Sequence, residues 1–183
     1  MISWKETHHR LRCDKERLQE YYRNSGGLRP IWLPSSPSYQ CLFFHRISNY
    51  FFSNGRRLLA RLFWHLNLII TGADISPDSD IGPGLLLLKP AGSAIAATLG
   101  KNCCIMGHVA IGGGMSDTRD IGAGPGLPLI GDEVEISYKG SILGPVKVGH
   151  RAHIGPGCLV IRDIEDDITL EPRVPLIKYG DNL

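Results

Sequence analysis

The chain has 183 residues, 43% of them apolar, and a formal net charge of +2. That length allows one globular domain with an appendage, and so even a charge balance argues against nucleic acid as the main partner. The N-terminal stretch MISWKETHHRLRCDKE is charged and lacks an apolar signal core, so a cytoplasmic location is expected. Cys13, Cys41, Cys103, Cys104 and Cys158 are odd in number and match neither a zinc-site spacing nor a secreted disulfide framework. They read as small apolar residues in a reducing compartment, with no metal.

Two helical stretches are predicted before residue 70. Glu6 to Asn24 is charged, with Leu11, Leu18 and Tyr22 on a rough stripe. Pro30, Pro34, Ser35, Ser36 and Pro37 mark a loop. Tyr39 to Arg61 carries Phe43, Phe44, Ile47, Tyr50, Phe51 and Leu58, with a break at Ser53-Asn54-Gly55. The most apolar run, Leu58 to Ile70, is interrupted by Arg61, His65 and Asn67, which makes it too short and too polar for a transmembrane segment. It is expected to pack as a helix against the main domain, with contact to a membrane face as the other use. Residues 1–70 are thus expected to form a helical cap over an otherwise open end.

From Ile75 an aliphatic residue recurs every six positions. The series is Ile75, Ile81, Leu87, Ser93 as the exception, Leu99, Ile105 and Ile111, then Ile130, Ile136, Ile142, Val148, Ile154 and Val160. A small or aliphatic residue follows four positions after each. This period does not fit an α-helix. It fits short strands joined by tight corners, three to a triangular coil, with coils stacked about 4.8 Å apart. The predicted fold is mainly β: a left-handed parallel β-helix over residues 71–165, with a short N-terminal α-helical region and one extruded loop. The loop follows from thirteen extra residues between Ile111 and Ile130. It covers about 112–129 and carries Asp117, Arg119 and Asp120, and a long loop on a rigid scaffold is often functional. Residues 166–183, with Pro172 and Pro175, read as an irregular tail.

The stretches TGADISPDSDIGPG, GLLLLKPAG, VAIGGG and LPLIGDEVEI, with ILGPVKVGHRAHIGPGCLVI after them, resemble the serine O-acetyltransferase branch of the bacterial hexapeptide-repeat acyltransferases. The helical lead FFHRISNYFFSNGRRLLARLFWHLNLIITG is similar to that of members from surface-polysaccharide and specialised-metabolite clusters. The resemblance implies a homotrimer and acetyl transfer to a hydroxyl. It also implies acetyl-CoA in the groove between adjacent prisms, with Gly112, Gly113, Ser137 and Gly155 expected along it. In that family a His in an Asp-His-Ala-Thr-Gly setting is the general base. Here the matching segment is Leu88-Lys89-Pro90-Ala91-Gly92, so Lys89 stands at the position of the catalytic His. The Asp that orients that His is retained as Asp74. A second family His and the Arg beside it are replaced by Leu127 and Gly126, which makes serine an unexpected acceptor. The family's Gly-x-Pro-Ala close is degraded to EPRVPLIK.

Acetyl transfer to a hydroxyl needs a base and donors for the oxyanion. Lysine side chains are protonated at neutral pH, and a Lys89–Asp74 ion pair is one expectation for these two residues. His108 is the alternative base, one coil from the Lys89 corner, with Lys89 polarising a carbonyl or binding an anionic acceptor. His150 and His153 read as surface residues on outward corners. The expected function is an acyl-CoA-dependent acyltransferase acting on a sugar or small-metabolite hydroxyl, with His108, Lys89 and Asp74 as catalytic residues. The alternative is a catalytically impaired descendant serving as a binding or scaffold subunit. The basic surface at Arg56, Arg57 and Arg61 also suits an acidic acyl carrier protein as donor.

Overall fold

In the computed structural model, residues 1–25, 33–114 and 117–172 are described. The first helix, α1 (Trp4–Asn24), begins where Ser3 Oγ accepts the Glu6 N–H at 3.1 Å. Helix α2 (Pro37–Ser53) opens on a proline, whose missing N–H costs nothing in a first turn. The chain breaks at Asn54-Gly55, where Gly55 has φ +75°, and continues as α3 (Arg57–Thr71). The apolar run after Leu58 is therefore a helix of its own, not the tail of the preceding one. It docks on α2, yet its buried residues are Ala60, Asn67 and Thr71, and most of its large aliphatic side chains face outward. Pro30 and Pro175 lie outside the described residues.

The rest is a left-handed parallel β-helix. One sheet stacks β1 (Asp74–Ile75), β3 (Ala94–Ile95), β6 (Ala110–Gly112), β9 (Ser141–Leu143) and β12 (Leu159–Val160). A second stacks β2 (Leu86–Leu87), β5 (Cys104–Ile105), β8 (Glu135–Ile136), β11 (His153–Ile154) and β13 (Thr169–Leu170). The third has β4 (Thr98–Leu99), β7 (Leu129–Ile130) and β10 (Lys147–Val148). Ile81, Leu87, Ile105, Ile136, Ile142 and Ile154 fill the prism with no exposed surface. Strand β13 carries the repeat past residue 165, into the segment expected to be irregular.

The Ser93 exception has a structural explanation. Ile75 pairs with Ile95, and Ile95 with Ile111, so Ile95 and not Ser93 holds the inward register. Ser93 takes the small buried place two residues before it, and Ala91 is exposed. The corner from Leu88 to Ser93 therefore holds two extra residues, and the next corner, between Ile95 and Leu99, is shorter by two. The changes cancel, which is why the six-residue beat runs on undisturbed. Their consequence is a bulged corner that pushes Lys89 and Ala91 outward, with Pro90 buried between them.

A buried polar knot fixes the cap to the first coil. Arg46 on α2 donates to both carboxylate oxygens of Asp14 on α1, at 2.8 and 3.1 Å. The same guanidinium donates to the carbonyls of Ile81 and, at 2.7 Å, Gly82. Asp14 Oδ1 accepts the N–H groups of Gly84 and Leu85 at 2.8 and 2.9 Å. Arg17 adds bonds to the carbonyls of Gly84 and Cys103. The edge of the first coil, which would otherwise expose unpaired backbone, is satisfied by these side chains.

His45, beside Arg46, is 1% exposed, and neither ring nitrogen has a partner among the described residues. Burial first, and the nearby Arg46 and Arg10 second, push its pKa down from 6.5 to about 3. A histidine whose folded pKa is depressed imposes no penalty above the unfolded value. As pH falls from 6.5 toward 3 the unfolded chain takes up a proton that the folded chain refuses, so stability declines by up to about 1.4 kcal/mol per pH unit. His45→Leu is expected to flatten this acid limb. It should also raise stability at neutral pH by about 1 kcal/mol or more, because two orphaned nitrogens disappear. Urea unfolding at neutral and acidic pH checks both; equal acid sensitivity in the two proteins would sink the assignment.

Candidate active site

The corner joining the β2–β13 sheet to the β1–β12 sheet stacks Gly92, His108, Lys139 and Gly157, all with positive φ. His108 has φ +51°, a conformation that His tolerates better than most residues. Gly107 just before it lies so close to the Lys89 backbone that a Cβ would collide with the Lys89 carbonyl. A Cβ on Gly92 would come 2.6 Å from His108 Nδ1. The bulged corner thus rests directly on the His108 corner, and two glycines make the approach possible.

Lys89 and His108 open onto one groove of about 850 Å³. Its floor is Leu86, Leu88 and Met106, and its walls include Tyr21, Tyr22 and Tyr138. The Tyr138 ring meets His108 edge-on at 5.0 Å, and Lys139 Nζ lies 5.6 Å from the same ring. Glu135 supplies a carboxylate. Nothing in the six-residue pattern singled out Tyr138, which stands one residue before Lys139 of the His108 column. Tyr21 and Tyr22 arrive from α1, and no sequence signal connects them to this groove.

Asp74 lies elsewhere. It lines a second groove, of about 380 Å³, with Trp64, Ala94, Ala110, Gly112 and Gly113. Its Oδ1 accepts the Trp64 Nε1–H at 2.8 Å. The expected Lys89–Asp74 ion pair is not formed, and Lys89 makes no ion pair among the described residues. The reason is the bulged corner, which carries Lys89 toward the β2–β13 sheet while Asp74 sits on the adjoining sheet. The four residues expected along a donor groove also divide. Gly112 and Gly113 line the Asp74 groove. Ser137 and Gly155 follow β8 and β11, at the corner column of His108, and both are buried.

The loop residues expected to carry function brace the loop itself. Asp117 accepts from Arg119 Nε at 2.8 Å, and Asp120 accepts the N–H groups of Gly122 and Gly124 at 2.8 and 3.1 Å. Gly126 has φ +72°, and a Cβ there would sit 2.9 Å from the Asp117 carbonyl. A long cationic side chain at that position would require a different loop backbone. His150 Nδ1 accepts the Asp132 N–H at 2.9 Å, and His153 lies on β11 rather than on a corner, 3.3 Å from Glu135. Burial raises the Cys41 thiol to about 12 and the Cys103 thiol to about 11, so neither serves as a nucleophile. Among the described residues no group of three or more His, Cys, Asp or Glu side chains converges.

No family model matches the chain. It is 28% identical over 136 residues to a serine acetyltransferase of Synechococcus elongatus, a match covering 73% of this chain and 54% of that one. The chain spans about half the length of the curated relatives it matches. Among solved structures it superposes on serine acetyltransferase of Neisseria gonorrhoeae in complex with serine, with TM-score 0.77 and 28% identity over 90% of this chain and 66% of that one. It likewise superposes on the Brucella abortus enzyme in complex with coenzyme A, with TM-score 0.79 and 25% identity over 94% of this chain and 67% of that one.

Proposed function

We propose that this chain, which is similar to serine acetyltransferases in sequence and fold, transfers an acetyl group from acetyl-CoA to a hydroxyl, using the groove under the Lys89 corner. The observation that carries this is the convergence of His108 and Lys89 on one groove at the bulged corner. His108 takes the proton of the acceptor hydroxyl as its oxygen attacks the thioester carbonyl. The tetrahedral intermediate collapses with cleavage of the C–S bond, and the CoA thiolate takes the proton back from the His108 imidazolium. Lys89, a cation without an ion-pair partner among the described residues, holds an anionic group of the acceptor. The working unit is a homotrimer. The small outward side chains Ala94, Ala96 and Ala110 and the backbone of Gly112 support this, because they let a neighbouring prism come close along that face.

For the acceptor, a sugar or small metabolite larger than serine is the reading the groove supports. Its volume of about 850 Å³ is of drug-sized scale and its walls are tyrosines. Gly126 and Leu127 offer no charge to a serine carboxylate. Release of free CoA, followed with a panel of hydroxyl acceptors that includes serine, tests the activity and the acceptor together. Lys89→Ala is expected to raise KM for an anionic acceptor with little change in kcat. Serine as the best substrate would overturn the acceptor reading and leave the reaction class standing.

One observation favours a second reading, a catalytically impaired binding subunit. Lys89 replaces a base, and the retained Asp74 is bonded to Trp64 instead of orienting one. On that reading Lys89→His restores nothing and calorimetry detects no acetyl-CoA binding.

A further inference from the structure

Helix α3 docks on the protein by its polar side. Ala60, Asn67 and Thr71 recur at helical spacing and face inward. Ser48 Oγ donates to the Ala60 carbonyl at 2.7 Å, and Asn67 Nδ2 donates to the Cys41 carbonyl at 3.2 Å. The aliphatic side chains point the other way. Leu58 is 83% exposed, Ile69 78%, Leu62 52% and Ile70 50%. At 3.6 residues per turn these four fall within one arc of roughly 120°, opposite Ala60 and Asn67. An amphipathic helix of a soluble chain ordinarily buries that arc. A contiguous exposed apolar patch marks a surface that something else covers.

The charges around the patch say what covers it. From Arg56 to Ala73 the sequence contains three Arg and no Asp or Glu, and Asp74 just beyond is engaged by Trp64. Arg56, Arg57 and Arg61 are exposed at the start of α3. Trp4 and Phe52, both exposed, stand at the same end. There Trp4 packs edge-on against Tyr50 at 5.2 Å, and Asn54 Nδ2 donates to the Ile2 carbonyl at 2.9 Å. The acid in the first turn of α1, Glu6, is taken by Arg10 at 2.9 Å. A second copy meeting this face with its own α3 could cover the aliphatic arc, but it would bring no carboxylate to the arginines. An anionic lipid surface meets both needs at once: acyl chains take the aliphatic arc, headgroups take the arginines, and the boundary suits Trp and Phe.

We propose that the outer face of α3 seats this protein on an anionic lipid surface, with the helix lying in the plane of the interface. At 15 residues α3 is too short to span a bilayer, and among the described residues no helix is long and apolar enough to cross one.

The test is co-sedimentation of the full chain with vesicles of phosphatidylcholine, alone or mixed with phosphatidylglycerol. The protein is expected on the mixed vesicles, with binding at least about tenfold weaker on phosphatidylcholine alone or at high salt. Replacing Arg56, Arg57 and Arg61 together by Gln should weaken binding by roughly 100-fold. Leu62→Glu with Ile69→Glu should abolish it. These side chains are exposed, so urea unfolding curves of the variants are expected to match the parent and rule out misfolding. Three results would overturn the proposal. The parent could stay in the supernatant with mixed vesicles. The arginine variant could bind as tightly as the parent. Or the Leu62→Glu, Ile69→Glu variant could lose the parent's oligomeric state in light scattering, which would assign the face to a second copy.

Discussion

Asp14→Ala is expected to cost about 3–5 kcal/mol, the usual loss when one partner of a buried ion pair is removed. Asp14 and Arg46 have essentially no exposed side-chain surface. Deleting the carboxylate leaves a guanidinium in a site that water does not reach, and it strips Gly84 and Leu85 of the acceptor for their N–H groups. Against a total stability of about 5–15 kcal/mol, such a loss leaves a marginal protein. The damage should concentrate at the junction of the helical cap and the first coil. Replacing both partners by apolar residues, Asp14→Leu with Arg46→Met, is expected to recover part of the loss, since no charge is then stranded. Recovery stays incomplete because the backbone groups of residues 81–85 still lose their partners. Urea unfolding of the two variants beside the parent reads this directly. A cost under about 1 kcal/mol for Asp14→Ala would mean the pair behaves as a surface pair.

Removing the imidazole of His108 is expected to lower kcat/KM for acetyl transfer by about 10²–10⁴-fold, the range for loss of a general base. Asn is the better replacement here than Ala. His108 sits at φ +51°, where Ala adds backbone strain and Asn does not. His108→Asn therefore separates chemistry from folding, and acetyl-CoA affinity should be unchanged. Tyr138→Leu is a useful companion, since it removes the ring that meets His108 at 5.0 Å while leaving the base in place. It should cost less than His108→Asn. If His108→Asn turned over acceptor at the parental rate, His108 would not be the base and the groove under Lys89 would lose its chemical role.

Much of the architecture was legible because the six-residue beat is a local rule. Each strand is two or three residues long, and its inward residue must be apolar wherever the coil lies. Helices α1 and α2 were readable for a similar reason, from the Leu11, Leu18 and Tyr22 stripe and the break at Ser53-Asn54-Gly55. Helix α3 packs on its neighbours as expected, but its orientation was not legible, since Asn67 and Thr71 make the inward contacts and the aliphatic residues face out. Composition alone does not reveal which arc of a helix faces its neighbour when both arcs are offered a partner.

What the sequence by itself determined is the prism and its contents, because burial of one aliphatic residue per short strand follows from spacing along the chain. What only the tertiary structure decided is which side chains meet. Two compensating corner changes, invisible in a beat that counts sixes, moved Lys89 away from Asp74 and set it in the groove with His108. Tyr21 and Tyr22 from α1, and Trp64 from α3, reached those grooves through contacts that no local spacing encodes. The physical reason is that spacing fixes only what repeats along the chain, whereas a site is made where elements distant in sequence come to lie side by side.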